Sequence, residues 1–150
     1  MAEVYPSIRE LIPHDGPMVL LDELVHWEPG RARCRITITP GMHFVSDGAV
    51  DTIVSLEYMG QAVAASCGYA AFRGGNDIRV GMIIGCRRMD IEVPTLRVGD
   101  QLLIEVREVR AQEEISVYEC DVRRGDEPVA SAQLTLYHAD KPPGEGDSFP

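Results

Sequence analysis

The chain has 150 residues, 45% of them hydrophobic, and its 14 basic and 24 acidic side chains leave a formal net charge of −10. That length suits one domain whose core needs no metal or disulfide. The acidic balance argues against nucleic acid, which requires a basic footprint, and against docking on an anionic membrane.

The opening "MAEVYPSIRE" has no basic region followed by an apolar core, so no secretory signal is expected and the protein is placed in the cytoplasm. "SIRELI" (7–12) suits a short helix with Ser7 as N-cap and Glu10 completing a capping box. "MVLLDELVHW" (18–27) reads as extended, and "EPG" turns it into "RARCRITIT" (31–39), where Ala32, Cys34, Ile36 and Ile38 alternate with polar residues.

The next element differs in kind. Asp51 can cap a helix running through "TIVSLEYMGQAVAASCGYAAFR" and stopping at Gly74-Gly75. Glu57, Gln61 and the small residues within it argue against a membrane span, so this is a helix buried around most of its circumference. "RVGMIIGCRRMDIEV" (79–93) is a long strand with glycines that mark bends. "QLLIEVREVRA" (101–111) alternates with a slip that predicts a bulge, and "ISVYECDVRR" (115–124) and "PVASAQLTLYHA" (128–139) follow after short turns, as in an antiparallel meander. Strands that need something to wrap and a helix that needs wrapping imply a curved antiparallel sheet around a central helix. The domain is expected to span 1–140, with "KPPGEGDSFP" (141–150) as a disordered tail. Cys34, Cys67, Cys86 and Cys120 lack metal-ligand spacing and read as reduced, packed thiols; no cofactor or metal is called for.

Two residues carry candidate chemistry. On a helical wheel Ile53, Gly60, Gln61, Ala64 and Gly68 fall within about 60° of Glu57, so the carboxylate shares its face with apolar, tiny or amide groups. A carboxyl group so placed is either kept protonated as a proton donor, or reaches solvent or an arginine of a neighbouring strand. Gln61, one turn on, can orient it. His43, in a turn-like segment before the helix, is either a general base or a structural loop residue. An acid and a base beside a helix N-terminus are the parts needed for elimination alpha to a thioester carbonyl.

"His-Phe" at 43–44, followed fourteen residues after the histidine by the glutamate of "LEYMGQA", resembles the signature of the hot-dog-fold (3R)-hydroxyacyl-[acyl-carrier-protein] dehydratases. "IPHDGPMVLLDELVHWEPG" (12–30) and "LRVGDQLLIEV" (96–106) resemble two further segments of that family, so the likeness covers roughly residues 8 to 139. It is nearest to the predicted dehydratases of aryl-polyene-type clusters. The resemblance implies an α+β hot-dog fold and a homodimer, or an oligomer of dimers, whose sheets join edge to edge. It implies that His43 of one chain removes the alpha proton while protonated Glu57 of the other delivers a proton to the departing hydroxyl. The substrate would be an acyl thioester, on acyl carrier protein.

The sequence departs from the family where Pro-Gly is usual. Asp51-Thr52 stands where the family's glycine amide meets the thioester oxygen, leaving the Thr52 N–H as the substrate-binding donor, with Gln61 beside it; Val45-Ser46 replaces the other Pro-Gly. Two alternatives follow: a hot-dog thioesterase, whose helix carboxylate activates water, or a non-catalytic carrier-binding subunit of a heteromeric dehydratase. His14 and Asp22 are read as builders of the fold, and His26 and His138 receive no role. Arg87, Arg88 and Arg97 form either a local basic patch for an acidic carrier or a solvated strand edge paired with Asp90 or Glu92. Met59, Met82 and Met89 either line an acyl tunnel or fill the core.

Overall fold

Alternating apolar residues along the strands and a long run of small and apolar residues between them produce two layers. In the computed structural model, which describes residues 4–75 and 81–138, a six-stranded antiparallel sheet packs against one long helix. The expected tail at 141–150 and the first two residues of the 79–93 strand lie outside the described residues.

The chain begins with the one-turn helix α1 (Ile8–Leu11). The Arg9 N–H donates to Ser7 Oγ and the Ser7 N–H donates to Glu10 at 3.0 Å, so the capping box forms as the sequence predicts. A single 3₁₀ turn (Gly16–Met18) follows, then β1 (Glu23–Glu28), β2 (Arg31–Thr37) and β3 (Ala49–Asp51). The central helix α2 (Ser55–Arg73) precedes β4 (Gly81–Ile91), β5 (Thr95–Arg97), β6 (Gln101–Gln112), β7 (Ile115–Arg124) and β8 (Glu127–His138). The sheet order is β1-β2-β6-β7-β8-β4, with β3 and β5 forming a separate two-stranded ribbon.

Three details differ from the sequence reading. The extended run expected from Met18 yields a strand only from Glu23, because Met18 ends the 3₁₀ turn and the residues between thread past the helix. Asp51 does cap, but its Oδ1 accepts from Ile53 N–H at 2.9 Å to start a 3₁₀ turn (Thr52–Val54), and α2 begins at Ser55 without a side-chain cap. The β3–β5 ribbon went unread, because three-residue strands are too short to display a period. The slip in 101–111 is a register shift between Glu108 and Arg110 against β7. Before it Leu102, Ile104 and Val106 point inward and are buried; beyond it the strand is exposed.

Helix α2 buries Tyr58, Met59, Ala62, Val63 and Ala65 completely, against a concave face that includes Ala32, Cys34, Ile104, Val106, Cys120 and Leu134. Gly68 is required where α1 crosses. A Cβ there would stand 1.8 Å from the Leu11 carbonyl oxygen, so only glycine lets the two backbones touch. The helix stops at Gly74, with Gly75 in the left-handed region at φ 71°. No helix among the described residues is long and apolar enough to cross a membrane. β4 is the far edge of the sheet and leaves Ile83, Ile84 and Ile91 exposed.

Candidate active site

Gln61 organises the site. Its side chain is completely buried in the first half of α2, yet every polar position on it is used. Its Oε1 accepts from Leu20 N–H at 2.9 Å. Its Nε2 donates to the Met18 carbonyl at 2.7 Å and to Glu57 Oε1 at 3.0 Å. The amide therefore cannot flip, and it ties the 18–20 segment and the Glu57 carboxylate to one point. Gln61, expected as a substrate-binding residue, is buried in the single chain, where its amide holds the Glu57 carboxylate.

Glu57 projects from the first turn of α2 into a cavity of about 200 Å³. Gly60, Val63, Ala64 and Cys67 form the helix side of the cavity, and Ile83 and Leu136 the sheet side. From Glu57 to Cys67 is ten residues, or about 15 Å of helix, so the apolar groove runs along the helix from a carboxylate to a thiol. Gly60 and Ala64 were expected on this face. Ile53 is half exposed, and Gly68 faces α1 instead. Among the described residues no arginine pairs with Glu57. The side chain, about a third exposed, has His14 as its neighbour: His14 Nε2 lies 3.4 Å from Glu57 Oε1.

That placement brings His14, expected as a builder of the fold, beside the carboxylate. The residue sits in the loop after α1, and folding lays this loop across the mouth of the groove. The signal that could have found it was its position in "IPHDGPM", a histidine amid apolar and turn residues. Asp22, from the same stretch, is structural: its Oδ2 accepts from Thr37 N–H at 2.7 Å and holds β2 to the segment before β1.

His43 is elsewhere in the single chain. It lies exposed on the 40–48 loop, with its ring 5.9 Å from that of Phe44, and among the described residues it is not part of the Glu57 cavity wall. Phe44 holds φ 73°, a left-handed conformation that costs a bulky residue roughly 1–3 kcal/mol. Its side chain is 53% exposed. Thr52 is buried, but its N–H donates to the Pro94 carbonyl at 3.2 Å. The amide proton expected to meet a thioester oxygen is thus committed to joining the 3₁₀ turn to the segment before β5.

The far end of the groove holds the Cys67 thiol. Burial pushes the Cys67 thiol up, and nearby Glu108 adds to this against a hydrogen bond with Tyr118. The raised pKa disfavours the thiolate, the form in which a cysteine acts as a nucleophile. His138, which also lines the groove, pairs with Ser116 Oγ at 2.6 Å. Met59 is core, and none of the three methionines lines the groove. Arg88 donates to Asp90 at 2.7 Å and to Glu119 at 2.8 Å, so it is paired across the sheet rather than free for a partner.

A search of protein families places residues 6–145 in the one described as ApeP-like, the ApeP dehydratases. The chain belongs to the ApeP-like dehydratase family. The family assignment agrees with the fold: the ApeP-like chain matches the structure of the dehydratase heterocomplex ApeI:P from Xenorhabdus doucetiae with a TM-score of 0.87. That match has 22% identity and covers 92% of this chain and 94% of the other. Among curated relatives, the 3-hydroxyacyl-[acyl-carrier-protein] dehydratase FabZ of Pediococcus pentosaceus is 27% identical over 136 residues, covering 87% of this chain and 89% of its own. FabZ of Francisella tularensis subsp. novicida is 26% identical over 149 residues, covering 89% and 91%. The hot-dog fold, a curved antiparallel sheet around a central helix, is therefore established for this ApeP-like protein.

Proposed function

We propose that this ApeP-like protein dehydrates 3-hydroxyacyl thioesters carried on acyl carrier protein to trans-2-enoyl thioesters. The observation that carries the reading is Glu57: a carboxyl group held by a buried amide at the mouth of an apolar groove about 15 Å long. The substrate class of the FabZ relatives fits a groove with those walls.

In the reaction, His43 of one chain takes the alpha proton of the substrate held in the groove of its partner. The C–H electrons form the double bond, the beta C–O bond breaks, and protonated Glu57 gives its proton to the leaving hydroxyl, releasing water. Gln61 orients this acid, because its N–H donated to Oε1 leaves Oε2 as the oxygen that carries the proton. Two features support pairing through β4. The strand is an edge with unpaired backbone groups, and it exposes Ile83, Ile84 and Ile91. The exposed His43–Phe44 loop needs a partner surface to act on any substrate.

One observation favours a second reading, a carrier-binding subunit without turnover of its own in a heteromeric dehydratase. A thioester oxygen can reach the Thr52 amide only by displacing the Pro94 carbonyl. The relevant structural relative is itself a heterocomplex.

Incubation of the purified protein with carrier-linked 3-hydroxyacyl thioesters separates the readings. Ultraviolet absorbance of the conjugated enoyl thioester and release of free thiol are followed together. Enoyl formation without thiol, abolished by Glu57→Ala and by His43→Ala in folded protein, is the expected result. Thiol release would make the protein a thioesterase, and no product of either kind would favour the subunit reading.

A further inference from the structure

We propose that His14 is a positioning residue that, together with Gln61, fixes which oxygen of Glu57 carries the catalytic proton. The inference rests on the dehydratase reading of Glu57 and adds to it a residue of the same chain.

A carboxyl group can deliver a proton productively only from the oxygen that faces the leaving group. Gln61 Nε2 donates to Oε1, and His14 Nε2 faces that same oxygen at 3.4 Å. One donor leaves the carboxyl group free to turn about that contact. A second donor on the same oxygen makes Oε1 the accepting oxygen and Oε2 the one that holds the proton. In the free chain the His14 contact is a close approach and not an aligned hydrogen bond, and contacts of this kind align and tighten when substrate fills the site.

The loop that carries His14 is built to hold it there. On one side, the Leu11 backbone rests on Gly68 of α2. On the other, Gln61 clamps Met18 and Leu20. Between them Arg9 Nη1 donates to the Gly16 carbonyl at 3.2 Å, and Asp15 Oδ1 accepts from Gly16 N–H at 2.8 Å.

The tautomer follows from the surroundings. His14 Nδ1 is buried and has no hydrogen-bond partner among the described residues. Nothing on that side of the ring selects a protonation site, so Glu57 alone does, and it selects Nε2–H. The other titratable groups lining the groove are engaged elsewhere, Cys67 with Tyr118 and His138 with Ser116.

The test uses two variants that separate donation from packing. His14→Gln retains an N–H donor near the Nε2 position, whereas His14→Phe retains the ring without a donor. We expect His14→Phe to lower kcat about 10- to 100-fold, the rate equivalent of losing one hydrogen bond to an ionisable group, with KM nearly constant, and His14→Gln to recover most of that loss. The opposite order, Phe active and Gln inactive, would assign His14 to packing and overturn the proposal. A second readout needs no turnover. Nitrogen-15 NMR of the imidazole at about pH 8, where a free histidine is neutral, should report the Nε2–H tautomer in the wild type. In Glu57→Ala it should report a mixture. A wild-type Nδ1–H tautomer, or one indifferent to Glu57, would refute the contact. If the wild type dehydrates nothing, the dehydratase reading fails, and the NMR comparison still decides whether His14 and Glu57 are coupled.

Discussion

Replacing Gln61 with methionine removes three hydrogen bonds while keeping most of the side-chain volume. The buried Leu20 N–H loses its acceptor, and an orphaned buried donor costs about 1–3 kcal/mol. The Met18 carbonyl is only half buried, and water can replace much of what it loses. Glu57, a third exposed, is likewise partly compensated. The sum is a destabilisation of about 2–4 kcal/mol, a large share of the roughly 5–15 kcal/mol that holds a typical domain together. Urea denaturation followed by circular dichroism measures it as a lower midpoint with an unchanged slope. Turnover should fall further than stability accounts for, because Glu57 loses its orienting donor. A variant within about 0.5 kcal/mol of the wild type would refute the reasoning, since it would mean that the amide is not the clamp the geometry describes.

Two glycines of α2 should behave differently. Gly68→Ala should destabilise by about 1–3 kcal/mol or more, because its new Cβ meets backbone at the Leu11 carbonyl. Gly60→Ala meets only the end of the Ile83 side chain, at 2.9 Å, so stability should hold while KM for long acyl chains rises as the groove narrows. Glu105 is lifted by partial burial but brought below its ordinary value by hydrogen bonds from Arg33 and Arg31. A depressed folded pKa contributes stability that is present above the unfolded value and is lost as pH falls through the folded one. Glu105→Gln should therefore cost about 1 kcal/mol at pH 7 and nothing at a pH below both values, as urea midpoints across the acid range will reveal. Burial pushes the Cys34 thiol up to about 12, so iodoacetamide at pH 8 should label it only in denaturant. Native labelling of Cys34 would contradict its burial.

The parts of the architecture that read most clearly were those where one residue's neighbours along the chain set its fate. The Ser7–Glu10 box, the stop at Gly74-Gly75 and the slip in β6 are local, and each formed where the pattern put it. For β7 the sequence marked a strand but not which of its faces turns inward. Residues 116, 118, 120 and 122 turn inward, because the sheet curls toward α2 on that side. The 3₁₀ turns and the β3–β5 ribbon were too short to carry a period.

The candidate site divides in the same way. A lone carboxylate in an apolar helix, with an amide one turn away, marks Glu57 and Gln61 in the sequence itself, because a helix alone brings residues four apart into contact. No local rule brings His14 to Glu57 across 43 residues of chain, nor commits the Thr52 amide to Pro94. Those contacts exist because α1 rests on Gly68 and the ribbon closes on the helix start, and both are long-range packing events. The sequence by itself determined the helix, its wrapping strands and the carboxylate set among apolar residues, since periodicity and burial cost are properties of short segments. Only the tertiary structure decided what stands beside the acid, because that depends on which distant backbones can approach closely enough to touch.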